Sequence, residues 1–165
     1  MIIYVTLASF VLAIATTSIV NLINIYRKSK DIGNIETSAV SAMDRMMREI
    51  RTAYAVDTSV SCLYDPPLLD GCDPDIGILK LKKLVSGVER NVRFYVSNNR
   101  IMIDQDGVLL GPLTSANTSV DYLKFRRSAT STAEALRVEM SLQSNIDSDN
   151  THQFYDTAVM RGSYQ

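Results

Sequence analysis

Few side chains in this sequence could do chemistry, and most of them gather in one short stretch. Cys62 and Cys72 flank the segment CLYDPPLLDGC. Such a pair can close a small disulfide loop, contributing about 2–3 kcal/mol. Pairing is expected if the domain lies outside the cytoplasm; two free core thiols are the alternative. Asp65, Asp70, Asp73 and Asp75 crowd the same region. Oxygen-rich loops can hold calcium, but this spacing does not match an EF-hand loop, and Asp is also a common turn residue. A zinc site would need more ligands than one histidine, His152, and a single cysteine pair supply. His152 has no nucleophile motif around it, and the G-x-S-x-G, H-E-x-x-H, P-loop and dinucleotide patterns are absent. The sequence therefore predicts no catalytic residue, no metal and no cofactor, and the chain is expected not to be an enzyme.

The elements that carry these residues are set by an uneven distribution of charge. The 165 residues have a formal net charge of −1 and no basic run that would mark a nucleic-acid partner. Met1 to Tyr26 holds no charged side chain, whereas the sequence from Arg27 onward has the composition of a soluble domain. As a helix, Ile2 to Ile25 would extend about 36 Å, enough to cross a hydrocarbon core of about 30 Å. A cleaved signal peptide would be shorter and would start with basic residues. Residues 1–26 are thus expected to form a transmembrane helix whose Ile2, Leu7, Phe10, Leu12, Ile14, Ile19, Leu22 and Ile25 meet lipid or neighbouring helices. Thr6, Ser9, Thr16, Thr17, Ser18, Asn21 and Asn24 are scattered along it. Such residues either satisfy their own backbone or support close packing between membrane helices. Arg27, Lys28 and Lys30 come directly after the span, and the positive-inside rule alone would put that end in the cytoplasm.

Residues 27–56 read as an amphipathic continuation of the same helix. Ile35, Ala39, Met43, Met46, Ile50 and Ala53 recur at three- and four-residue steps, and Val40, Met47 and Tyr54 widen the stripe. Glu36, Ser41, Asp44, Arg45, Arg48, Glu49 and Arg51 are expected on the solvent face. Gly33 is the one weak point between the two halves. The Met pairs could form an adaptable binding groove, but their helical spacing favours core.

From residue 57 to 165 the period changes to two. Ile76, Ile78 and Leu81 form an apolar run; Val92, Phe94 and Val96 alternate with polar neighbours, as do Ile101 and Ile103. Asn98-Asn99 and Asp106-Gly107 read as two-residue hairpin turns. Further strands are expected over Val108 to Leu113, Val120 to Arg126, Leu136 to Leu142 and Phe154 to Met160, with a polar loop from Asn145 to Asn150. The expected fold is α+β, with the helix covering the buried face of a small antiparallel sheet.

This plan resembles that of type IV pilins and pseudopilins. Ser41 to Val56, SAMDRMMREIRTAYAV, resembles the end of the long helix in minor pilins and minor pseudopilins of the J/W type. VRFYVSNNRIMI and GPLTS resemble the middle strands of their heads, and FYDTAVMRGSY, Phe154 to Tyr164, their last strand. The basic leader, the Gly and the F-T-L-I-E start of that family are not in this sequence. MIIYVTL is similar to the residues directly after that start in the family, so the sequence is expected to begin a few residues inside the mature helix. Lost leader charges would also remove the conflict over orientation. The resemblance implies a minor pilin-like structural subunit in the cytoplasmic (inner) membrane, single-pass, with its head outside and a role in priming or capping a filament. Its partners would be membrane lipid, other pilin or pseudopilin subunits and an assembly platform. A minor pseudopilin of a type II secretion or DNA-uptake system is the alternative, and an unrelated membrane-tethered binding domain a further one.

Overall fold

A computed structural model of the chain describes residues 1–64, 71–130, 133–145 and 151–161. It has one helix, α1, over Ile2–Thr52, followed by strands β1 (Ala55–Val56), β2 (Leu79–Val85), β3 (Val88–Ser97), β4 (Arg100–Gln105), β5 (Val108–Pro112), β6 (Thr118–Ala129), β7 (Glu134–Ser144) and β8 (Thr151–Val159). Two units result, Met1–Gly33 and Asn34–Gln165. The first is helical from Ile2 to its end.

The second unit is α+β. The stripe Ile35, Ala39, Met43, Met46, Ile50 and Ala53 is buried, together with Met47. Two antiparallel sheets share the core with it: five strands in the order β1-β2-β3-β4-β5, and three in the order β6-β7-β8. Leu79, Leu81, Phe94 and Ile101 enter the core from the first sheet, and Leu123, Phe125, Val138 and Met140 from the second. The helix ends at Thr52, four residues before the expected boundary, because Tyr54 N–H donates to the Lys82 carbonyl and the chain turns into β1.

Three two-residue turns build the first sheet. Asn98-Asn99 and Asp106-Gly107 have positive φ at both positions, as the expected hairpins require. Ser86-Gly87, at φ 53° and 79°, makes a third between β2 and β3 that the sequence pattern did not mark.

Several expectations are corrected. The single sheet becomes two: β5 carries a register shift, Gly111 at φ 135° and a terminal Pro112, so ladder pairing stops there and β6 starts a new sheet. The apolar run Ile76, Ile78 and Leu81 is not one continuous strand. The structure breaks the run at Gly77: Ile76 bridges Leu123 in parallel, Ile78 bridges Cys62, and β2 starts at Leu79. Val40 is 63% exposed rather than part of the buried stripe, and Glu49 is buried rather than solvated. Residues 65, 70, 146–150 and 162–165, which belong to the acidic loop, the polar loop and the C-terminus, lie outside the described residues.

The segment Asp75–Gly77 joins the two sheets. Leu123 N–H donates to the Asp75 carbonyl at 2.8 Å, and Gly77 N–H donates to the Leu123 carbonyl at 2.6 Å. Tyr64 N–H donates to Phe125 beside them, and Val120 N–H to Asn99. The outer edge of β6 is therefore occupied by its own chain.

Candidate membrane helix and head surfaces

The unit Met1–Gly33 contains a helical segment long and apolar enough to cross a membrane, with none of it buried inside the protein. Ile2, Leu7, Phe10, Leu12, Ile14, Ile19, Leu22 and Ile25 all lie on its exposed surface. Most of its hydroxyls turn back on their own helix. Thr6 Oγ1 donates to the carbonyls of Ile2 and Ile3, Ser9 Oγ to Val5 and Thr6, Thr16 Oγ1 to Leu12 and Ala13, and Thr17 Oγ1 to Ala13 and Ile14. These donors are spent on carbonyls three or four residues back, so four of the polar side chains need nothing from lipid. No such bond forms at Ser18, Asn21 or Asn24. Arg27, Lys28 and Lys30 come next, in exposed positions.

In the second unit, α1 is tied to the first sheet by charge as well as by packing. Glu49 receives Arg45 one turn earlier on the helix at 2.9 Å, and Lys83 of β2 from the other side. A carboxylate this deeply buried is tolerable only with such partners. A hydroxyl cluster, Ser38, Ser115 and Thr118, links the helix to the segment leading into β6. Neither link was legible in the sequence, because their members lie 34 to 80 residues apart.

Cys62 and Cys72 are joined in a disulfide with Cα atoms 5.5 Å apart. Of the two described acidic-loop residues, Asp73 accepts the Asp75 N–H, and Asp75 pairs with Lys124 at 2.9 Å. No cluster of metal-ligating side chains occurs among the described residues. His152 lies on β8 opposite Leu142.

Both outer sheet faces are charged. On the first, Lys80 pairs with Asp57, Arg93 with Asp104 and Arg90 with Asp106. The Ser59 hydroxyl and then Lys80 hold the Asp57 carboxyl down to about 2. The backbone N–H of Asn91, then Arg90, lowers that of Asp106, while the ion pair with Asp75 raises Lys124. On the second sheet, the Arg126 and Arg137 side chains share Glu139 at 3.1 and 2.9 Å. Lys124 and Arg126 lie over the Tyr64 ring at 4.9 and 4.3 Å, and Arg137 over Tyr155 at 5.2 Å. The period-two pattern put these residues on the solvent face but gave no sign that they would meet.

A shallow groove of about 290 Å³ lies between α1 and β8, lined by Ala39, Val40, Met43, Met47, Phe154 and Tyr155 together with Asp44, Arg51 and Asp156. Comparison with known protein families, with curated proteins and with solved structures finds no match to this chain.

Proposed function

We propose that this chain is a minor pilin-like structural subunit of a type IV pilus, anchored in the cytoplasmic membrane by its N-terminal helix with the α+β head outside the cytoplasm. Its work is assembly rather than catalysis: the helix packs against those of other pilin subunits and, with an assembly platform, primes or caps the filament. The observation that carries this reading is that a single helix, α1, begins as an uncharged apolar segment and ends as the amphipathic cover of a β head. Two further features support it. The inward-bonded hydroxyls leave a surface suited equally to lipid and to a bundle of apolar helices. The Cys62–Cys72 disulfide fits an oxidising compartment, as a head outside the cytoplasm requires.

Ile14→Lys tests the proposal. A lysine near the centre of the span costs about 2.5–3.5 kcal/mol of insertion free energy, roughly a hundredfold in partitioning. The variant is expected to leave the membrane fraction and to reduce pilus number in cells. Normal pilus counts with the variant as sole copy would refute the pilus role. Intact pili with lost export of secreted hydrolases would move the subunit to a secretion machine.

A further inference from the structure

Two pieces of chain reach the outer edge of β6 from opposite sides of the Cys62–Cys72 cross-link. Tyr64 lies just beyond Cys62 and donates its N–H to the Phe125 carbonyl at 2.8 Å. Asp75 and Gly77 lie just beyond Cys72; the first accepts the Leu123 N–H and the second donates to the Leu123 carbonyl. Cys62 itself bridges Ile78, and Ile76 bridges Leu123. The two pieces therefore meet along one short stretch of β6, and the disulfide ties one to the other.

They are held very differently. On the Cys62 side, Ser61 is buried with its hydroxyl accepting the Lys80 N–H, and Leu63 packs against the core. On the Cys72 side, Gly71, Asp73, Pro74, Asp75 and Ile76 are all exposed, and Cys72 is half-buried. Apart from Gly77, this segment buries no residue fully before Leu79. Its remaining ties are backbone hydrogen bonds and the Asp75–Lys124 pair, whose carboxylate side is 61% exposed and so contributes little. A segment with few buried contacts and exposed backbone bonds is the first to open. The cross-link counters that by limiting the freedom gained on opening.

We infer that the Cys62–Cys72 disulfide is a redox latch on the β6 edge. Oxidised, it keeps Gly71–Gly77 against β6; reduced, it lets that segment leave and bares the edge at Leu123 while the rest of the head stays folded. The reductant is a dithiol, small or protein-borne. Its first thiolate attacks one cysteine sulfur, breaking the Cys62–Cys72 bond and forming a mixed disulfide with the chain. Its second thiolate then displaces that cysteine. The chain gains two electrons and two protons as a pair of thiols, and the dithiol leaves as its own disulfide. Reoxidation by a disulfide oxidant runs the same exchange in reverse. Opening frees both the N–H and the carbonyl of Leu123, and an unpaired strand edge is a template for another strand. The reduced head thus offers a pairing edge that the oxidised head withholds. The inference is independent of the assembly reading.

Amide hydrogen exchange of the full chain in mild detergent, with and without dithiothreitol, is the test. Complete reduction is verified by the mass gained on thiol alkylation. The Gly77 and Leu123 amides are expected to exchange at least tenfold faster in the reduced chain. The Phe94 and Val138 amides, inside the two sheets, should still exchange at least tenfold more slowly than those two. Oxidised glutathione should restore the slow rates, and the Cys62→Ser, Cys72→Ser double variant should show the fast ones with or without dithiothreitol. Unchanged Gly77 and Leu123 rates in the fully reduced chain would overturn the inference, because the segment would then stay docked without its cross-link. Acceleration of all four amides to one common rate would overturn it too, since the whole head would then be lost rather than one edge opened. A double variant whose rates still respond to dithiothreitol would also overturn it, by placing the effect outside this disulfide.

Discussion

Gly77→Ala is the sharpest test of how the head is held together. A Cβ at position 77 would lie 2.9 Å from the Leu123 carbonyl oxygen, 2.9 Å from Cδ2 of Phe125 and 3.2 Å from the Cys62 carbonyl oxygen. Two of these atoms belong to backbone, so no side-chain rotation relieves the contact. Three ordinary contacts would need shifts of several tenths of an ångström in three directions at once. That movement works against the 2.6 Å bond from Gly77 to Leu123 and the 2.8 Å bond from Leu123 to Asp75. Overpacking of this kind costs about 1–3 kcal/mol, and a weakened hydrogen bond adds about 1 kcal/mol, for an expected loss of about 2–4 kcal/mol. Urea unfolding of the full chain in mild detergent, monitored by tyrosine fluorescence, measures it. Gly33→Ala is the matched control: its Cβ meets nothing within 4 Å and it sits in a helix, so stability should hold or rise by up to about 1 kcal/mol. A Gly77→Ala midpoint equal to that of the parent would refute the argument that the two sheets are joined by close backbone contact at this residue.

Four other outcomes are expected. Replacing Cys62 and Cys72 together by Ser should cost about 2–3 kcal/mol in the same unfolding assay, because the loop they close is short. Glu49→Ala should cost about 3–5 kcal/mol by leaving Lys83 partly buried without its partner, and the double variant with Lys83→Met should recover much of that loss. Asp57, held at about 2 when folded against 3.8 for the free group, stabilises the head above pH 4, and that contribution disappears as the pH falls from about 4 to 2. Ser59→Ala removes the largest cause of the depression, so a carboxyl NMR titration should show the Asp57 midpoint moving up towards the ordinary range.

Periodicity made the helix and most strands legible. The burial of Ile35, Ala39, Met43, Met46, Ile50 and Ala53 is set by a three-to-four-residue spacing, and that of Leu136 to Leu142 by a spacing of two. The Asn98-Asn99 and Asp106-Gly107 turns were legible because few residues accept positive φ. The features that escaped depend on meetings between distant segments. Glu49 looked like a solvent-face residue, since nothing near it in sequence announces Lys83. The division into two sheets turns on a bulge near Leu110 and on where Asp75–Gly77 docks, and neither leaves a periodic trace. Val40 sits on the apolar side of the helix pattern but borders a groove between α1 and β8, where it is 63% exposed.

The inward-turned hydroxyls of the N-terminal helix have a consequence for motion. Thr6, Ser9, Thr16 and Thr17 present methyl and methylene groups outward and keep their donors on their own carbonyls. Rotating or sliding such a rod therefore requires no hydrogen bond at those positions to be broken and remade. In a membrane-anchored subunit, rotation and depth would then fall to groups such as the Asn21 and Asn24 carboxamides and the exposed Arg27, Lys28 and Lys30 side chains.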